Sequence, residues 1–172
     1  DRLRPAAGPG GRRGGPPRDR PGSGALRIIA GERRGARIAA PKGDATRPTG
    51  DWVREAAYNL IGPVDGAAVL DLFAGSGAMG LEALSRGAAS CVFVERDRAA
   101  ARVIAANLEK LRLTGGTVVT ADVATALRAE RERARRFDLV LVDPPYDEWE
   151  RHAATLADLL PAVMADAALL VV

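Results

Sequence analysis

The stretch "AAVLDLFAGSGAMGLEALSRG", residues 67–87, decides the fold. Its first part is a short run of apolar residues, the length of a buried strand, interrupted by one carboxylate, Asp71. A glycine loop follows, Gly75-x-Gly77-x-x-Gly80, and then a helical run that stops at Gly87. Strand, glycine turn and helix in that order open a parallel α/β unit. The loop then lies at the carboxyl end of the strand, where such sheets bind ligands.

The alternation repeats downstream. "SCVFVERD" (90–97) is a second strand, followed by a helix from Asp97 to about Leu113. "GTVVTAD" (116–122) is a third strand, and 123–136 a charged helix whose "RAERERARR" reads as a solvated face. "FDLVLVD" (137–143) is a fourth strand, followed by a helix over 149–164 that Pro161 breaks or kinks. "ALLVV" (168–172) is a fifth strand. Strands rich in Val and Leu, each followed by a helix, predict an α/β fold: a Rossmann-like parallel sheet with helices on both faces.

Upstream, "LRIIAGERRGARIAAP" (26–41) has the pattern of a β-hairpin with a basic tip, Arg33 and Arg34, flanked by Arg27 and Arg37. "TRPTGDWVREAAYNLIG" (46–62) becomes a helix with Asp51 as N-cap and Gly62-Pro63 as its stop. Val53, Ala56, Ala57, Leu60 and Ile61 form its expected buried face, and Trp52 is expected to pack the helix onto the sheet rather than to stack on RNA. Residues 1–24 are Arg, Gly and Pro with little that a core could use, and are expected to be disordered. The chain thus divides into a leader (1–24), a hairpin and helix (25–62) and a ligand-binding domain (63–172).

The 172 residues suit one full core, and 47% of them are hydrophobic. No apolar run approaches the roughly 20 residues of a spanning helix, and no signal peptide is recognisable, so a soluble, cytoplasmic protein is expected. The single cysteine, Cys91, excludes a disulfide framework and reads as a small buried residue. The net charge of +3 is unevenly placed: residues 1–60 carry 13 Lys and Arg against 6 Asp and Glu, while the remainder is net acidic. A basic front beside an acidic body points to a polyanionic partner, although a general preference for Arg over Lys would also raise that count.

The glycine loop alone does not separate a nicotinamide cofactor from S-adenosylmethionine. Glu95, ending the second strand, suits a ribose diol in either case. Asp71 discriminates, because a carboxylate in that strand is a poor neighbour for a pyrophosphate and a good one for an ammonium and a sulfonium. Asp122 is placed either to meet an adenine amino group or to cap the following helix. The "DPPY" corner, Asp143, Pro144, Pro145 and Tyr146, ends the fourth strand. An exocyclic base amine is a poor nucleophile until two acceptors bind its hydrogens. Asp143 and the Pro144 carbonyl supply two acceptors, Pro145 holds that carbonyl extended, and Tyr146 offers a flat face for stacking. An activated methyl donor needs no metal. His152 reads as a surface residue, and Arg47 as a phosphate or cofactor-carboxylate contact or a solvated loop residue.

"DLFAGSGAMGLEALSRGA", "ERD" and "DPPY", preceded by "RIIAGERRGARI" and "RPTGDWVREAAYNLI", resemble the RsmD-type 16S ribosomal RNA guanine-N2 methyltransferases over residues 26–172. The resemblance implies a class I methyltransferase fold, S-adenosylmethionine as donor, and guanine 966 of 16S rRNA in a 30S particle as target. It implies a cofactor site from Asp71, Phe73, Gly75, Ser76, Gly77, Met79, Glu95, Arg96, Asp122 and Val123. The expected RNA face is Arg27, Arg33, Arg34, Arg37, Arg47 and Arg54; no metal is expected, and a monomer is the default. It also implies two further strands beyond Val172, and it departs from the family at Gly50 and Trp52, where Thr and Arg are usual. The residues alone leave open an adenine-N6 methyltransferase of DNA or RNA, a nucleotide-binding oxidoreductase and a non-catalytic RNA-binding factor.

Overall fold

The structure, a computed structural model, describes residues 26–42 and 50–172. A short antiparallel hairpin, β1 (Leu26–Arg27) and β2 (Arg37–Ile38), is followed by α1 (Asp51–Ile61). Then come β3 (Ala68–Leu72), α2 (Ala78–Ser85), β4 (Ser90–Glu95), α3 (Arg98–Leu111), β5 (Gly116–Thr120), α4 (Val123–Glu132), β6 (Phe137–Val142), α5 (Trp149–Leu159) and β7 (Met164–Val171). The five later strands form one parallel sheet in the order β5-β4-β3-β6-β7. The expected Rossmann-like sheet and the hairpin before it are both present.

Two apolar clusters follow from strand alternation. Val69, Cys91, Phe93, Leu139 and Leu141 face one side and pack with Leu81, Leu84 and Ile104 of α2 and α3. Leu70, Leu72, Val92, Val94, Val140 and Val142 face the other, against Leu127 of α4 and Leu156 and Leu159 of α5. Asp71 lies on the α2 side, since its neighbours in the strand alternate away from it. Cys91 is fully buried, as its apolar neighbours suggest.

The hairpin is fastened to α2 mainly through backbone groups. The buried carboxylate of Glu82 accepts the Ile29 and Ala30 amides, both at 2.9 Å. Ser85 accepts the Arg33 amide and donates to the Ala30 carbonyl. Gly31 sits so close to α2 that a Cβ on it would lie 1.8 Å from the Ser85 carbonyl oxygen, at a φ of +82°. Leu26, Ile28, Ile38 and Tyr58 complete the cluster beneath.

α1 is turned differently from its apolar pattern. The expected inward residues Val53, Ala56 and Leu60 are exposed, Leu60 by 89%, and Ala57 and Ile61 are half-buried. Arg54 and Tyr58 are buried instead. Arg54 reaches Asp51 at 2.9 Å and the Arg27 carbonyl, with Glu82 3.8 Å away, and Tyr58 donates to the Met79 carbonyl at 2.6 Å. The Glu82 carboxylate is already held by two amides and, at 2.8 Å, by Arg86, so Arg54 is drawn in chiefly by Asp51 and the Arg27 carbonyl. These polar contacts, together with the Tyr58 bond, outweigh the exposure of a few aliphatic side chains. Trp52, expected to pack inward, is 75% exposed. The N-cap position is Gly50, and Asp51 is the first residue of the helix.

Other boundaries shift for local reasons. α4 ends at Glu132 rather than running to Arg136, the chain turning at Ala134 with a φ of 53°. Glu130, expected on a solvated face, is buried and pairs with Arg133 and Arg135. Pro161 ends α5 as expected: the helix stops at Leu159, a short 3₁₀ turn carries the proline, and β7 begins four residues earlier than the sequence pattern suggests.

Candidate active site

The strand order places a topological switch between β3 and β6, and the two register as Leu72 opposite Val142. The glycine loop and the Asp143 corner therefore leave the sheet side by side, at its carboxyl edge. The ends of β4 and β5 bring Glu95 and, just beyond β5, Asp122 to the same edge.

The glycine loop is built from left-handed residues: Phe73 at φ 59°, Gly75 at 55° and Gly77 at 77°. Glycine takes this conformation freely, whereas at Phe73 it costs on the order of 1–2 kcal/mol. The Phe73 ring meets the His152 ring edge-on, centroids 4.9 Å apart. Gly80 permits a close approach, since a Cβ there would lie 2.3 Å from Phe93 and 2.9 Å from an Asp71 oxygen.

One amide of the loop, Gly75, and one in the first turn of α2, Gly80, are occupied by the protein's own acids. Glu95 accepts the Gly75 amide at 2.8 Å with one oxygen and the Asp97 amide at 2.8 Å with the other. Asp71 accepts the Gly80 amide at 3.0 Å. Asp71 is buried, and its pKa rises to about 7: burial is the main cause, and the charges of Asp143 and Glu95 add to it against the Gly80 hydrogen bond. Three carboxylates, one buried beneath the loop and two at the sheet's carboxyl edge, are thus close enough for their charges to act on one another. A pyrophosphate gains little there, because the Gly75 and Gly80 amides are taken and the neighbouring carboxylates repel it. A cation fits.

Asp122 is the N-cap of α4, accepting the Thr125 amide at 3.0 Å and its hydroxyl at 2.6 Å, contacts that hold its carboxyl below the ordinary range. The capping reading of this residue is therefore realised, at the cleft edge and with its side chain exposed. Val123 is buried behind it. Ser76 and Met79 line the loop and the first turn of α2, and their carbonyls accept from Asn107 at 3.3 Å and from Tyr58. Arg96, expected at the cofactor, turns toward the corner and binds Glu148 at 2.7 Å.

At the corner, Asp143 is exposed, Pro144 and Pro145 are half-buried, and Tyr146 is fully exposed. A single 3₁₀ turn over Tyr146–Glu148 closes on the Pro145 carbonyl, which accepts the Glu148 amide at 2.8 Å. Expected as a surface residue, His152 is half-buried between Phe73 and Glu148.

The basic residues divide. Arg34 and Arg37 are exposed on the hairpin, and Arg27 is half-buried. Arg33 is docked on the last carbonyls of α3, Leu111 and Arg112, where the helix end attracts a cation. Arg54 was expected to face RNA, but it is 0% exposed and holds α1 to the hairpin and α2, so it is a core residue. Arg47 lies outside the described residues. The sequence reading missed Glu82, Asn107 and Glu148. A carboxylate within the apolar "MGLEAL" run was the one available signal for Glu82.

The family model described as conserved hypothetical protein 95 matches residues 26–172. The YlbH protein of Bacillus subtilis is 45% identical over 77% of this chain and 74% of its own length. Ribosomal RNA small subunit methyltransferase D of Escherichia coli is 42% identical over 73% of this chain, which spans 62% of that enzyme. The solved structure of yhhF from Escherichia coli superposes with a TM-score of 0.71 at 36% identity, covering 86% of this chain and 79% of that one. By the family match and these identities, the chain belongs to the conserved hypothetical protein 95 family, that of ribosomal RNA small subunit methyltransferase D.

Proposed function

We propose that this chain is an S-adenosylmethionine-dependent ribosomal RNA methyltransferase, acting as a monomer on the exocyclic N2 of a guanine, guanine 966 of 16S rRNA, within the 30S subunit. The observation that carries the reading is the acidic corner: Glu95 binds the Gly75 amide of the glycine loop and Asp71 the Gly80 amide behind it, beside Asp143 at the switch point. The donor set fits the cofactor, since carboxylates facing a phosphate-free glycine loop complement an ammonium and a sulfonium. When bound, S-adenosylmethionine supplies an electrophilic methyl group on sulfur. The chain's own residues do the rest. Asp71, beneath the loop, meets the cationic amino acid end, Glu95 the ribose hydroxyls, and Asp122 the adenine edge.

The acceptor base stacks on the exposed Tyr146 ring. Asp143 and the Pro144 carbonyl accept its two amino hydrogens, which frees the nitrogen lone pair for attack on the methyl carbon. As the new N–C bond forms, the bond to sulfur breaks, and the surplus amino proton leaves through Asp143 to solvent. Alignment carries most of the rate. Arg34 and Arg37 on the hairpin, with Arg27 beside them, meet RNA phosphates. Among the described residues no helix is long and apolar enough to cross a membrane. Isothermal titration with S-adenosylhomocysteine and with NAD tests the cofactor: the former binds with one site and the latter does not, and the reverse result overturns the reading.

A further inference from the structure

We infer that Glu148 is a positioning residue for the acceptor base, tying the Asp143–Tyr146 corner to the two loops that hold the cofactor. The inference rests on the reading that this corner holds the base. Its starting point is a mechanical question. Tyr146 is fully exposed, so packing of its ring does not fix the corner, and the turn that follows is a single 3₁₀ turn. The diproline restricts the backbone up to Pro145, and the Pro145 carbonyl then closes the turn on the Glu148 amide at 2.8 Å.

The Glu148 side chain extends that closure to the rest of the site. One oxygen accepts from the Arg96 guanidinium at 2.7 Å, and Arg96 directly follows Glu95, the residue that binds the Gly75 amide. The other oxygen lies 3.3 Å from Nε2 of His152, whose ring edge meets Phe73 in the glycine loop. One carboxylate therefore joins the end of β4, the glycine loop and the base corner. The carboxyl is held below its ordinary range, first by the Arg96 hydrogen bond and then by His152, so it is ionised at neutral pH.

Fold stability does not explain the arrangement. The Arg96 side chain is 57% exposed, and ion pairs with so exposed a partner add little to stability. Geometry does explain it. A misplacement of about 1 Å at a reacting centre costs roughly a hundredfold in rate, and this corner carries both the hydrogen-bond acceptors and the stacking ring.

Four full-length proteins test this: wild type, Glu148→Ala, Arg96→Glu, and the charge exchange Arg96→Glu with Glu148→Arg. Turnover is measured on undermethylated 30S subunits with labelled S-adenosylmethionine. Hydrogen exchange of the 146–149 amides and S-adenosylhomocysteine affinity are measured in parallel. For Glu148→Ala we expect kcat to fall by about ten- to a hundredfold, with the melting temperature nearly unchanged. Exchange at 146–149 should accelerate by about fivefold or more while the β3 and β4 amides keep their protection. The charge exchange should recover about tenfold of the rate lost in either single variant, which a purely structural defect would not do. Equal exchange at 146–149 in wild type and Glu148→Ala, or no recovery in the double variant, would overturn the inference. Wild-type protein that methylates no acceptor would overturn the proposed function instead, and the exchange experiment would still decide whether Glu148 holds the corner.

Discussion

Asp71 shows how a buried carboxyl makes stability depend on pH. Its carboxyl titrates near 7 in the folded protein against about 3.8 when unfolded. Between those values the folded state holds the extra proton, so the stability this group contributes is complete below about 3.8 and is lost as pH rises through about 7. Asp71→Asn keeps an acceptor for the Gly80 amide and removes the charge. In urea unfolding, the variant should gain on wild type between pH 5 and pH 8, while S-adenosylhomocysteine binding weakens by roughly tenfold from the lost charge-assisted contact. An unchanged pH slope would show that Asp71 ionises normally. Asp143 behaves differently: it is exposed, and Asp143→Ala should leave cofactor affinity within about threefold while methyl transfer falls by about 10²–10⁴. Single-turnover transfer on 30S subunits checks it, and near-normal turnover would remove Asp143 from the chemistry.

At the scale of elements, the sheet was legible because each buried strand is a short Val/Leu run closed by a turn, and the glycine loop marks the carboxyl edge. The front helix was legible in its extent but not in its buried face. Its apolar residues repeat at helical spacing, yet the buried Arg54 and Tyr58 find partners off the helix, Arg54 at the Arg27 carbonyl and beside Glu82, and Tyr58 at the Met79 carbonyl on α2. Pattern reading weighs side chains one helix at a time and has no way to register a buried partner on another. Glu82 thereby becomes the element-level test. Glu82→Ala strands the Ile29 and Ala30 amides and leaves Arg54 buried beside the gap, so unfolding free energy should fall by about 3–5 kcal/mol. Denaturant unfolding measures it, and a loss below about 1 kcal/mol would mean that the hairpin is held by its apolar contacts instead. Asp122 teaches the same lesson at smaller range: an Asp after a strand is open to two readings, and only the Thr125 contacts show that it caps α4.

For the molecule as a whole, charge and shape divide the labour. The basic hairpin is fixed to α2, and the acidic residues gather at the carboxyl edge of the sheet, so under the proposed function polyanion and cationic cofactor would meet different surfaces. Reversing Arg34 and Arg37 to Glu should weaken RNA binding and lower the salt dependence by about two phosphate contacts, with cofactor affinity unchanged. Arg33 is the wrong choice for that experiment, since its side chain secures the end of α3. The acceptor was the least legible feature, because the corner of Asp143 to Tyr146 can serve any exocyclic amine and no residue in it reads guanine. The measurement that tests the central claim most directly is transfer from labelled S-adenosylmethionine to undermethylated 30S subunits, naked 16S RNA and duplex DNA, followed by nucleoside identification. The account predicts N2-methylguanosine from the 30S subunits; N6-methyladenosine, or label entering DNA, would contradict it.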